Sequence, residues 1–271
     1  MGPAVVVKLG GGLITEKSTL TTVHHERLNR LAQEIAVAVQ SGIQVLVVHG
    51  AGSFGHLRAK AWALAEGRSK AQGNDGCSNQ DEAVERVRED MMTLAGHVTQ
   101  ALHNAGLATS TYPPHRWVNG LGTNFSGDVR PLQPGHIVPV TWGDVVPVDG
   151  PAEFGILSGD DLVHRCAVEL SGITRVVFAM GGADGVLRKP PHQAMEEDLI
   201  EEWSDDAEFV GLHAAEMDVT GGIGLKVQRA RSIAQHGIET LFVNGEVEGR
   251  LQDALLGHPV RGTRFPPAQK G

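Results

Sequence analysis

Short apolar runs, glycine-ended turns and amphipathic stretches follow one another along the whole chain. Residues 4–9 (AVVVKL) are a β-branched run that ends in Gly10-Gly11-Gly12, and 23–40 then set Leu28, Leu31, Ile35, Ala36 and Val39 at helical spacing. The order repeats at once. QVLVVH (44–49) is a continuous apolar strand of the kind covered on both faces, followed by GAGSFGH and a helical stretch to about residue 65. Residues 66–80 (EGRSKAQGNDGCSNQ) are polar and glycine-rich, so they read as a surface loop, either a lid over a site or a solvated connection, and 81–104 read as a long amphipathic helix.

Two β-rich runs about Gly143-Asp144 in IVPVTWGDVVPV (137–148) predict a hairpin or strand pair. ILSGDDLVHRCAVEL then places Ser158-Gly159-Asp160-Asp161 ahead of an apolar-periodic helix, and TRVVFAMGGADG (174–185) is a further buried strand with a glycine turn after it. In the last third MDVTGGIGLKVQRARSIAQHG opens a helix from a glycine turn, ETLFVNG is a strand, a short helix falls near 248–255, and GTRF closes as a strand. No linker-like composition divides the chain. The alternation predicts an α/β fold: a three-layer αβα sandwich with a mainly parallel central sheet, one domain over 1–271 in two lobes meeting near residue 173.

Composition narrows the partners. Hydrophobic residues make up 41% and charged residues 20% of the 271, enough for a sizeable core. A net charge of −9 argues against nucleic acid as the main partner, since that affinity comes from Lys and Arg neutralising phosphates, whereas a small anion needs only local positive charge. Cys77 and Cys166 match no metal or redox spacing and are expected to be reduced thiols. No run approaches the roughly 20 apolar residues that cross a bilayer, and no signal pattern precedes the first strand, so the expectation is a cytoplasmic protein with no membrane partner.

Glycine turns after strands let a backbone approach phosphate oxygens, because no Cβ intervenes and the following helix offers its first N–H groups. In Lys8-Leu9-Gly10-Gly11-Gly12 a lysine precedes the turn and Lys17 follows it, a flanked phosphate site or plain turn chemistry. Gly50-Ala51-Gly52-Ser53-Phe54-Gly55 has the dinucleotide spacing, yet no strand ending in an acidic residue follows roughly 20 positions on, which weighs against a nicotinamide cofactor. His56 at the ensuing helix start can hydrogen-bond an anion, while His49, at a strand end, is expected to be buried and satisfied. Asp160 and Asp161 suit a helix N-terminus as caps; near lysines, one of them would hold ammonium groups in place for a transferring phosphoryl group. Asp218-Val219-Thr220-Gly221-Gly222 with Lys226 offers another glycine turn and lysine for a nucleotide phosphate, or leaves Lys226 a solvated surface residue. Walker A, protein-kinase, HExxH and GxSxG signatures do not occur.

Taken together and in order, KLGGGLITEK (8–17), HGAGSFGH (49–56), ILSGDD (156–161), ADG (183–185), MDVTGG with Lys226, and VNG (243–245) resemble the amino acid kinase family across almost the whole chain. The histidine closing the second block and the MDVTGG block look most like the branch whose acceptor is isopentenyl phosphate, with the fosfomycin-inactivating kinases as near relatives. The resemblance implies ATP with magnesium (Mg2+), a homodimer, and in-line transfer between two bound phosphates without a covalent enzyme intermediate. It implies that Lys8 and Lys226 contact the transferring phosphoryl group, that Lys17 helps neutralise the ATP phosphates, and that Asp160 organises the lysines. Gly50, Gly55 and His56 would hold the acceptor's phosphate with Gly159 near it, and no residue is assigned to a metal. Nucleotide contacts would come from Gly10, Gly11, Gly12, Ala51, Asp184, Gly185, Gly221 and Gly222, with an acceptor lobe over about 1–172 and a nucleotide lobe over about 173–271. The chain departs from the family where Gly12 replaces a serine, Ala51 a glycine, and Gly182-Ala183-Asp184-Gly185 the common Asp-Val-Asp-Gly. The rivals are another acceptor on the same fold, such as a phosphonate antibiotic or an amino-acid carboxylate, and a non-catalytic oxyanion binding or storage protein, against which the lysines with Asp160 weigh.

Overall fold

A computed structural model describes residues 2–16, 19–204, 206–207, 209 and 222–268. Within them the strands are β1 (Ala4–Leu9), β2 (Gln44–His49), β3 (Thr109–Thr111), β4 (Val138–Trp142), β5 (Asp144–Pro147), β6 (Phe154–Leu157), β7 (Ile173–Met180), β8 (Glu239–Asn244) and β9 (Gly262–Phe265). Seven of them form one sheet in the order β3-β4-β2-β1-β7-β8-β9. Every neighbouring pair in it is parallel except β8 with β9. Strands from before residue 173 fill one half and later strands the other, so β1 and β7 meet at the centre, where Lys8 lies in register with Val48 and Phe178.

Because side chains alternate across a strand, β1 sends Val5, Val7 and Leu9 to one face and Ala4, Val6 and Lys8 to the other. The first face is covered by α2 (His25–Gln40), α4 (Gln80–Asn104) and α7 (Arg250–Leu256), which build one core together with the short α1 (Gly11–Ile14) and α3 (Gly52–Ala61). The second face is covered by α5 (Gly159–Glu169) and α6 (Gly222–Gln235), whose apolar residues build a separate core. This is the αβα sandwich with a mainly parallel sheet that the alternation predicts. It also decides Lys8: the lysine shares the face on which α5 and α6 begin.

The two β-rich runs of 137–148 are both strands, but they do not pair with each other as a hairpin. β4 joins the main sheet between β2 and β3, while β5 pairs antiparallel with β6, Asp144 opposite Leu157. Gly143 carries the chain from one sheet to the other, and a Cβ there would stand 2.8 Å from the Gly159 nitrogen. Two adjacent apolar runs specify extended backbone but not which strand each will pair with. The polar loop after α3 is tied down: the Asp75 carboxylate accepts from Arg58 Nε at 2.5 Å and from the Trp62 indole at 2.7 Å, and the Gln80 amide donates to the Trp62 carbonyl at 2.8 Å.

Candidate active site

The turns after β1 and β2 face each other across almost no space. A Cβ at Gly50 would lie 2.6 Å from the Gly11 nitrogen, and one at Gly11 would collide with the Gly52 backbone. Thr15 locks the pair, its hydroxyl donating to the Gly11 carbonyl at 2.9 Å and accepting from the Ser53 N–H at 3.0 Å. These glycines are therefore required by backbone packing, and the same bareness exposes their peptide groups to a cavity of about 890 Å³ that Gly10, Gly11, Gly12, Gly50, Ala51 and Gly52 all line.

Lys8, Asp160 and Lys226 form the charged floor. Asp160 Oδ1 is paired with Lys8 and Oδ2 accepts from Lys226 Nζ at 3.3 Å, although the lysines stand 152 and 66 residues away in the sequence. Ser158 caps α5, its hydroxyl accepting from the Asp160 N–H at 3.2 Å, so the Asp160 side chain is released from capping and turns inward. It is fully buried, and burial alone would raise its carboxyl; Lys226 and Lys8 outweigh that and hold it below the usual carboxylate range. Both lysines line the cavity while Asp160 sits behind them. The next residue behaves oppositely: burial raises the Asp161 carboxyl despite its 2.6 Å contact with Arg229.

Beside the floor, His56 lies half-buried on α3 with Gly55 and, one turn on, Lys60, all against the cavity. Gly159 is close enough to the floor that a Cβ would touch the Lys8 side chain at 3.3 Å. The wall here is apolar: Val87 and Met91 from α4, Val145 from β5, and Ile156 and Leu157 from β6. Asp144, at the β4–β5 switch, is held by His115 Nδ1 at 2.7 Å and by the Val145 N–H at 2.9 Å. Sequence reading missed this wall and Lys60. Their signal is weak, because residues from three separate elements meet there only in the folded chain.

On the far side the cavity is lined by Gly181, Gly182, Ala183, Gly185 and Gly222. Asp184 is turned away from it onto Arg250, Arg261 (2.6 Å) and Asn244 (3.2 Å). Burial would raise its carboxyl, but Arg261, Arg250 and Asn244 together lower it. His49 is buried as expected, yet only Nδ1 finds a partner; Nε2 has none among the described residues. Lys17 and Gly221 lie outside the described residues, as does all of MDVTGG before Gly222. The structure thus brings Lys8, Gly10, Gly11, Gly12, Gly50, Ala51, Gly55, His56, Gly159, Gly185, Gly222 and Lys226 onto one cavity, with Asp160 beneath it and Asp184 beside it.

The pattern that defines the amino acid kinase family matches residues 3–244. Isopentenyl phosphate kinase of Methanothermobacter thermautotrophicus is 30% identical over 268 residues, covering 96% of this chain and 98% of that protein. The isopentenyl phosphate kinase of Haloferax volcanii is 32% identical over 265 residues, covering 91% and 97%. Among solved structures, an X-ray structure of isopentenyl phosphate kinase superposes with a TM-score of 0.77 at 26% identity, covering 96% of this chain and 99% of that one.

Proposed function

The chain belongs to the amino acid kinase family, and from that premise we propose that it transfers the terminal phosphoryl group of ATP to isopentenyl phosphate, giving isopentenyl diphosphate. One observation carries the proposal: two ammonium groups held by one buried carboxylate face a single cavity, which has a bare glycine turn with His56 on one side and an apolar wall beside it. Charge and bare backbone suit two phosphates, and the wall of Val87, Met91 and Ile156 suits a short branched hydrocarbon.

Phosphoryl transfer needs alignment and charge neutralisation more than proton removal, since an acceptor phosphate is already ionised near neutral pH. Lys8 and Lys226 would bridge donor and acceptor oxygens, with Asp160 fixing where the two ammonium groups stand. Gly55, His56 and Gly159 would hold the acceptor phosphate, with Gly50 giving it room to approach the turn, in an acceptor lobe over about 1–172. The nucleotide would lie along Gly10, Gly11, Gly12, Gly185 and Gly222 toward the lobe over about 173–271 and would meet the acceptor phosphate at Ala51, with Asp184 shaping the far edge and Lys17 and Gly221 completing it. Magnesium would arrive on the ATP phosphates: both Asp160 oxygens already take ammonium groups, and no three His, Cys, Asp or Glu side chains cluster among the described residues, so those residues offer no dedicated cage. A cytoplasmic homodimer goes with this reading, and light scattering checks its mass. No helix among the described residues is long and apolar enough to cross a membrane.

An ADP-release assay with a panel of acceptors tests the proposal. Turnover with isopentenyl phosphate, and little with glutamate or a phosphonate, is expected. Turnover with only the other acceptors, or with none, contradicts it. His56→Ala is expected to raise the acceptor KM about tenfold with a much smaller change in the ATP KM, as for loss of one charge-assisted hydrogen bond.

A further inference from the structure

His49 ends β2 immediately before the glycine turn and is wholly buried. Its ring stacks on Trp142, the last residue of β4, with centroids 5.4 Å apart and planes 22° apart. The polar contact of the ring is local: Nδ1 lies 3.1 Å from the carbonyl oxygen of Gly50, the next residue. A carbonyl oxygen only accepts, so the ring proton sits on Nδ1. Burial first, with Lys8 adding to it against the Gly50 hydrogen bond, drops the ring to about 4 and leaves it neutral in ordinary buffer.

The neighbouring groups make that hydrogen bond consequential. The N–H of Gly50 already donates to Leu9 at 2.9 Å, so the turn's first donor is spent on the sheet. The bond from Gly50 to Ala51 is trans, and in a trans peptide the carbonyl and the following N–H point from opposite edges. With the Gly50 carbonyl drawn onto a buried ring, the Ala51 N–H leaves from the other edge. Ala51 lines the cavity directly ahead of α3, where a helix leaves its first N–H groups without intrahelical partners. Glycine on one side would otherwise let this peptide rotate, and a carbonyl turned to the cavity would repel a phosphate oxygen.

We infer that His49 is a positioning residue: by donating from Nδ1 to the Gly50 carbonyl it holds the Gly50–Ala51 peptide with the Ala51 N–H toward the cavity, as a donor to the acceptor's phosphate. The inference rests on the phosphoryl-transfer reading of that cavity. A histidine kept only for packing would serve as well as any flat ring of similar size.

Two substitutions separate donor from ring. His49→Asn keeps an N–H at the place of Nδ1 and removes the rest of the ring, whereas His49→Phe keeps a ring against Trp142 and removes the donor. His49→Leu supplies the same lost donor should the Phe variant not fold. With isopentenyl phosphate varied at saturating ATP, the Phe variant is expected to raise the acceptor KM about tenfold while the ATP KM stays within about twofold, as for one lost hydrogen bond to a charged group. The Asn variant stays within about threefold of wild type on both, even with a lower melting temperature. An unchanged acceptor KM in the Phe variant, or an equal loss in both, overturns the inference. Wild type in the same assay separates the two claims. Should it not turn over isopentenyl phosphate, the proposed function fails, and calorimetry with inorganic phosphate then decides the inference alone: weaker binding in Phe but not Asn sustains it, and equal binding overturns it.

Discussion

Asp160 and Asp184 are each held between two cations from distant parts of the chain, yet the two clusters are built for different ends. Asp160 is fully buried between Lys8 and Lys226, and both lysines face the cavity. Asp184 is about a quarter exposed between Arg250 and Arg261, and none of the three lines the cavity. Arginine's planar fork commits itself to a carboxylate, whereas an ammonium group is a point charge with three donors that can serve a carboxylate and a phosphate together. The lysine cluster therefore sets ammonium groups on the cavity, and the arginine cluster ties the turn at Asp184 to Arg250 and Arg261 beside it.

The largest effect should come from removing a lysine. Lys8→Ala or Lys226→Ala is expected to lower kcat by about 10² to 10³, the loss typical of one preorganised charge at a transition state, while Arg261→Ala changes kcat less than about threefold; steady-state kinetics with circular dichroism as a folding control checks both. Stability should follow the same order. Asp160→Asn leaves two ammonium groups around a buried neutral amide and is expected to cost about 3 kcal/mol, against about 1 kcal/mol or less for Asp184→Asn at a partly exposed pair, read from urea unfolding. Lys226→Arg sharpens the chemical contrast: charge is preserved but the fork replaces the point charge, and kcat should fall about tenfold without a matching loss of stability.

Acid should affect the two aspartates in the same direction. A carboxyl held below its ordinary value, about 3.9 for Asp, stabilises the fold above that pH and loses its contribution as pH falls through the depressed value. Both carboxyls are depressed. Wild type should thus lose more stability between about pH 4 and pH 2 than Asp160→Asn does, the smallest of these differences, and a melting-temperature series over that range measures it.

Much of the architecture is legible in the sequence because parallel strands covered on both faces read as unbroken apolar runs: β1, β2, β7 and β8 are all of this kind. Pairing partners are less legible, which is why Gly143-Asp144 read as a hairpin turn although the runs on either side belong to different sheets. The loop over 66–80 could be read only as lid or connection, since its anchors on Arg58 and Trp62 are side-chain contacts that composition does not encode. Within the site, the glycine turns and their lysines were visible as local text. The meeting of Lys8 with Asp160 and Lys226 is legible only through the family resemblance, because no local pattern spans the 152 residues between Lys8 and Asp160. The strand-end position of His49 predicts a buried, satisfied ring, whereas the tautomer that gives it a task depends on a carbonyl one residue away whose direction only the folded turn sets.

On the proposed function, Lys8 and Lys226 neutralise the phosphoryl group as it passes directly from ATP to isopentenyl phosphate. Phosphorus NMR of the two substrates mixed with the protein follows both ends of that transfer at once. Wild type is expected to build up the paired signals of a new diphosphate ester as the γ-phosphate signal of ATP fades, with Lys8→Ala and Lys226→Ala nearly silent over the same time. A diphosphate formed by either variant at the wild-type rate would contradict the account.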